Sequence, residues 1–469
     1  MGIAISHWRL ARAVSLAGQL GVVSGTAIDT VLIRRLQDGD PEGHMRRALA
    51  ACPWPDVVSD VLERYFRPGG RDPAQPYAIL PMWTTRSGPA RQALGMLGGF
   101  VETWLAKVGH AGRVGINLLT KVALPNLAVL YGAMQAGVDV VLMGAGIPQD
   151  IPGALDRLAE NAIAEQRFPI LGHTSGDAPV SIRFDPRGYG AAAGQPLRRP
   201  DFFPIISAHS LATFMARKAN GSIEGFVIEA PTAGGHNAPP RGSKQFDATG
   251  QPLYGERDRV DCDAVAALGY PFWLAGGAGT PDGLRDARAR GAAGIQVGTL
   301  FAYCDESGMA PAIREQVQQA AQAGDLTVCT DPLASPTGFP FKVVGLADTL
   351  SDTPVYEARR RRCELGYLRE AYAGDQGRIR FRCAAEPVRA FVAKGGRPED
   401  ATGRKCLCNG LLATAGFAQP LGDGGTEPPI VTSGDAIHEI RALLAAGGGN
   451  YTAQDVVAHL LAPAVSRTG

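Results

Sequence analysis

Short apolar runs bounded by glycine and proline recur along the chain, and between them apolar residues return every three or four positions. The runs cover residues 1–6, 20–24, 113–119, 138–144, 203–208, 225–230, 271–276 and 294–299. Each has the length and apolar, β-forming content of a buried strand. Helical spacing predicts helices at 7–15, 127–136, 211–220 and 281–290, the first ended by Gly18. Eight strand–helix units in series predict an α/β fold, a (β/α)8 TIM barrel.

The pattern also marks what a minimal barrel lacks. Residues 27–110 are mainly helical and form a long excursion that offers a lid or a dimer surface. Residues 167–201 are an insertion in which Val180–Asp185 alternates like a strand and a Gly/Pro/Arg-rich loop follows. The polar, glycine-rich stretch 242–258 is expected to cover the pocket, and the proline-rich stretch 330–345 to fold back over it. The boundaries read as a barrel over 1–345 and a C-terminal extension over 346–469. That extension is partly helical, with one helix over 433–446 and another capped by Thr452. Its basic run, Arg359 to Arg362, reads as a solvated face.

Composition narrows the partners. Among 469 residues, 46 Lys and Arg stand against 45 Asp and Glu, and aromatic residues make up 7%. No broad basic surface argues for nucleic acid or membrane. No run reaches the ~18 apolar residues of a membrane span, and no basic, then apolar leader opens the chain. The eight cysteines are mostly isolated, as suits a reducing, cytoplasmic setting. A small-molecule substrate is the partner expected.

The stretch with the most chemistry is Val227 to Arg241, V-I-E-A-P-T-A-G-G-H-N-A-P-P-R. A strand breaks into Gly234 and Gly235, and His236 follows at the carboxyl end, where α/β barrels place their reactions. The imidazole is either a catalytic group or a loop histidine holding a turn. The next two strands end in Gly276-Gly277 and Gly298-Thr299. Bare backbone N–H groups at such tips suit a phosphate. Asn117 sits inside an apolar run and needs a polar partner there. Lys121, His209 and His7 lie just past strand ends and are pocket candidates, with exposed lysine and helix-start histidines as the alternatives. Cys363, Cys383, Cys406 and Cys408 are separated by 19, 22 and 1 residues. Four thiolates suit zinc or an iron–sulfur cluster, although the paired C-x-x-C knuckles are absent and free core thiols are the alternative.

The series A-G-G-H, L-A-G-G-A-G-T and G-A-A-G-I-Q-V-G-T-L-F resembles the nitronate monooxygenase (2-nitropropane dioxygenase) family and its sister, the flavin-dependent enoyl-acyl carrier protein reductases. The resemblance spans about residues 1–345. It implies FMN on a (β/α)8 barrel, with Asn117 and the Gly144-x-Gly-x-Pro turn beside the flavin and His236 facing substrate. It also implies oxidation of alkyl nitronates with O2, or reduction of an enoyl thioester or similar alkene with NAD(P)H. Family members begin several residues earlier, so Met1 falls near the end of the first strand. A third, different reading is a flavin-free barrel carrying a metal-stabilised interaction module.

Overall fold

The computed structural model describes residues 2–174, 176–190, 195–422 and 424–463. The expectations that reach Met1, residues 191–194 of the insertion loop and the last six residues lie outside this range. Seven strands form one curled parallel sheet: β1 (Gly21–Ser24), β2 (Val114–Leu119), β3 (Val140–Gly144), β4 (Asp201–Ile206), β5 (Phe226–Glu229), β6 (Phe272–Ala275) and β7 (Gly294–Gln296). They pair in chain order, each beside the next, as in a TIM barrel. Helices follow the strands and bury the main apolar core between themselves and the sheet. Inside the curl, Val140, Leu142, Phe203, Val227 and Ala275 make a smaller core of their own. There Phe203 stacks on Trp273 at 4.7 Å between ring centroids.

The expected strand at residues 1–6 is not formed. Ala4 has φ +55°, a left-handed conformation no strand residue takes, and the Ile5 N–H turns back to the Gly2 carbonyl. Only Ser6 reaches the sheet: its carbonyl accepts the Ser24 N–H at 2.8 Å, and its hydroxyl donates to the Val22 carbonyl. Seven of the barrel's eight strands are therefore laddered, and a seam lies between β7 and β1. Helix Ala453–Leu460 packs along this seam against helices Trp8–Leu16, Pro281–Ala289 and Thr299–Ala302. The capping box of Thr452 and Asp455 starts it as its sequence predicts.

The 27–110 excursion is four helices, the last and longest Pro89–Lys107. The insertion pairs Ala164–Arg167 with Ser181–Phe184 as an antiparallel ribbon. Beyond the barrel, β8 (Val328–Asp331) and β9 (Phe341–Val344) form a hairpin arm. The C-terminal extension is joined to it: the Val344 N–H bonds Val431, and Leu350 bonds Pro429. The basic run is not a solvated face. The Arg359 and Glu427 side chains are 6% and 1% exposed and form an ion pair, and Arg361 donates to the Ala384 and Ala401 carbonyls. Both arginines tie separate loops of the extension together, which local sequence does not reveal. Among the described residues no helix is long and apolar enough to cross a membrane.

Candidate active site

The carboxyl ends of β5, β6 and β7 meet at one rim. Past β5 the chain turns through Thr232, Ala233 and Gly234 to Gly235, at φ +83°. Past β6 come Gly276 and Gly277, at φ +85° and +73°. A methyl on Gly276 would sit 2.8 Å from the Ala233 nitrogen, so these two tips lie backbone against backbone. The third tip differs from expectation. β7 stops at Gln296, Gly298 caps a short helix and Thr299 begins it. Gly298 has nothing within 4 Å of where a Cβ would stand. Gly235, Gly276, Gly277, Gly298 and Thr299 all line one cavity of about 410 Å³, which runs from this rim into the seam.

Two later segments close over the rim. The hairpin arm comes down on one side: the Lys342 N–H donates to the Gly235 carbonyl, and the Asn237 N–H to that of Pro340. From the other side, residues 432–435 lie across the tips. The Thr432 hydroxyl accepts the Gly235 N–H, that of Thr299 accepts the Gly434 N–H, and the Asp435 N–H reaches the Thr232 carbonyl. The 330–345 stretch thus folds back over the rim, as expected of a segment that follows the barrel. The 242–258 loop lines neither this cavity nor the next one.

His236 is held by both features of that arm. Its Nε2 lies 2.7 Å from the Ser335 hydroxyl, and its ring meets Phe341 edge-on at 4.9 Å. Burial, and then the nearby Lys121 ammonium, push its pKa down to about 3. His236 is therefore neutral at working pH, not an imidazole near its ordinary value. It can position and hydrogen-bond a ligand, but it is a weak proton acceptor.

Two groups beside it titrate where it does not. Burial raises Glu229, at the tip of β5, to about 7 against the partial relief of Lys121. Glu229 keeps some accessible surface, but that surface faces the cavities. Burial lowers Lys121 to about 7, opposed by Glu229. The Lys121 Nζ has no hydrogen-bond partner and lies 2.9 Å from the centroid of the Phe339 ring. Lys121 is thus an enclosed amine and not an exposed lysine.

His236, Glu229, Gly144, Gly235 and Asn117 share a second cavity of about 100 Å³. Asn117 is 5% exposed, and its amide donates to the Leu142 carbonyl across the sheet at 3.4 Å. The other two histidines lie elsewhere. His7 is the N-cap of helix Trp8–Leu16, its Nδ1 accepting the Arg9 N–H, and His209 is exposed at the start of helix His209–Lys218. Neither lines either cavity, and nor does Lys121. The four C-terminal cysteines are brought together in a separate small chamber. As they stand, no three metal-ligating side chains among the described residues are spaced for an ion.

No family model and no curated protein matches the chain. Among solved structures, FabK from Thermotoga maritima is similar over 98% of this chain and 90% of that chain, with TM-score 0.46 and 15% identity. Nitroalkane oxidase from Streptomyces ansochromogenes is similar over 98% and 92%, with TM-score 0.45 and 14% identity. The enoyl reductase domain of MlnA from Bacillus amyloliquefaciens covers 81% and 87%, with TM-score 0.39 and 12% identity. Likenesses this distant leave the chemistry to the side chains.

Proposed function

We propose that this chain is an FMN-dependent oxidoreductase that oxidises alkyl nitronates with O2. The observation that supports it best is the glycine rim beside Glu229 and His236. The rim fits the cofactor: Gly276 and Gly277 present bare backbone in a conformation side chains avoid, and Gly298 opens into a cavity of about 410 Å³. These glycines would hold the phosphate, and Asn117 and Gly144 would border the ring. When bound, the flavin supplies the redox chemistry.

The chain's own groups have distinct tasks. A nitronate is an anion, and the Lys121 Nζ is a buried cation without a hydrogen-bond partner. Lys121 lines neither cavity, so it would favour the anion through its charge rather than by direct contact. His236, neutral and fixed by Ser335, would orient the same group by a hydrogen bond. A carboxyl at about 7 can hold or release a proton near neutrality, so Glu229 rather than His236 would take the carbon proton where the neutral nitroalkane, not its nitronate, is bound. The arm and the 432–435 segment would exclude water.

A second reading has its own support. The larger cavity continues past the rim into a seam lined by Leu10, Val14, Leu284 and Leu460, room suited to an acyl chain. That favours NAD(P)H-dependent reduction of an enoyl thioester. The experiment is direct. The purified protein should show oxidised-flavin absorbance and turn over propionate 3-nitronate in air. A colourless protein overturns both readings. NADH consumption with an enoyl thioester in air-free buffer, without nitronate turnover, selects the second.

A further inference from the structure

The C-terminal extension does more than cover the rim. Its residues 432–435 are pressed onto the tips that follow β5 and β7, and they lie beyond the stretch that the sequence resemblance covers. A methyl on Gly234 would sit 2.8 Å from the Gly434 nitrogen and 2.8 Å from the Ser433 carbonyl carbon. One on Gly434 would sit 2.8 Å from the Thr299 hydroxyl and 2.9 Å from the Thr232 carbonyl oxygen. Backbone is laid on backbone here, so Ser433 is fixed at the junction. It lines the same cavity of about 410 Å³ as Gly276, Gly277, Gly298 and Thr299.

The neighbours of Ser433 are satisfied within the fold. The Thr432 hydroxyl accepts the Gly235 N–H, and the Gly434 N–H donates to the Thr299 hydroxyl. Ser433 is different. It is 3% exposed, and its Oγ makes no well-formed hydrogen bond. Tyr303 bears on it but does not line the cavity, and the Tyr303 hydroxyl makes no well-formed bond either. A hydroxyl buried without a partner costs stability, and alanine at this position would avoid that cost. A ligand oxygen in the cavity would give this hydroxyl the partner that the protein does not.

The charges nearby permit an anion. The Asp435 carboxylate, two residues on, is paired with the Lys342 Nζ at 2.7 Å. Glu229, which lines the same cavity, is raised by burial to about 7 and is largely neutral below that pH.

We propose that Ser433 is a cofactor-binding residue, whose hydroxyl donates to the FMN phosphate held by the rim glycines. This assignment rests on the flavin reading above. It makes the phosphate site a joint product of barrel and extension: the barrel supplies bare backbone, and the extension supplies the side-chain donor.

The test reads binding, not turnover. Riboflavin is FMN without its phosphate, so comparing the two isolates that group. Dissociation constants for both are measured on the flavin-free full chain by quenching of flavin fluorescence. Ser433→Ala should weaken FMN by about tenfold or more, the loss of a hydrogen bond to a charged group, and leave riboflavin within about twofold. Its melting temperature without flavin should be no lower than the parent's. Ser433→Asp sets a carboxylate against the phosphate, and should lose FMN while still binding riboflavin. Should Ser433→Asp fold poorly, Ser433→Ala still decides. Unchanged FMN affinity in Ser433→Ala, or an equal loss of both flavins, overturns the assignment and leaves the flavin reading standing. So does a parent that holds riboflavin as tightly as FMN. A parent that binds neither removes the flavin reading itself, and this assignment with it.

Discussion

The hydroxyl of Ser335 lies 2.7 Å from Nε2 of His236, across 99 residues of chain. One residue ends the glycine loop after β5, and the other lies in the arm between β8 and β9. A neutral imidazole has two tautomers, and its partner at one nitrogen decides what the other presents. His236→Ala should leave flavin bound and abolish turnover. Ser335→Ala should keep flavin and lower kcat by about fivefold, the loss of one orienting hydrogen bond of about 1 kcal/mol. Full activity in His236→Ala would remove His236 from the chemistry.

The pH profile sets His236 apart from the two groups that titrate near 7. His236 stays neutral at all pH values above about 3, so no limb between pH 4 and 9 belongs to it. Lys121 carries its charge below about 7. The KM for a nitronate anion should therefore rise as pH passes above 7, by at most about tenfold per pH unit. In Lys121→Met that dependence should flatten and KM should be high throughout. An unchanged KM profile in this variant would show that the anion binds elsewhere.

Glu229 makes a stability prediction of opposite kind to a salt-bridged carboxylate. Its folded pKa, about 7, lies above its ordinary 4.5. The folded state therefore favours the neutral form. That contribution is complete below pH 4.5 and is lost as pH rises through about 7, where ionisation inside the fold costs about 3 kcal/mol at most. Glu229→Gln cannot ionise. In the flavin-free protein its melting temperature should exceed the parent's by more at pH 8 than at pH 5. Equal differences at both pH values would mean that the carboxyl is solvated.

Much of this arrangement was legible in local pattern, because strands and helices announce themselves by period. All seven laddered strands fall on apolar runs, and three glycine tips are visible as G-G, G-G and G-T. What local pattern misses is contact made over distance. Ser335, Phe341 and Thr432 reach the site from the arm and the extension, and none has a signature of its own. Glu229 did have one: it is the single charge in the run from Gly225 to Ala230, and a carboxyl within such a run must be paired or perturbed. The first run misled for a conformational reason. Ile3, Ala4 and Ile5 are apolar and buried, but buried in a turn, and apolarity alone does not tell the two apart. The same holds for Arg359, whose partner Glu427 is 68 residues away.

The glycine rim can be tested with two substitutions that fail for different reasons. Gly276 has φ +85°, and a Cβ there would meet the Ala233 nitrogen at 2.8 Å and the Ala230 carbonyl oxygen at 3.0 Å. Gly276→Ala should therefore part the tips of β5 and β6, lowering both thermal stability and flavin content, with about 1–3 kcal/mol lost to backbone strain. Gly298 has φ −120°, which alanine adopts freely, and nothing lies within 4 Å of its Cβ position. Gly298→Ala should leave the melting temperature of the flavin-free protein unchanged. Its methyl group points into open space that the proposed phosphate would occupy, so FMN affinity should fall about tenfold or more, a change of about 1.4 kcal/mol. If Gly298→Ala binds FMN as tightly as the parent, the phosphate does not sit at the end of β7, and the cradle must be sought along the seam instead.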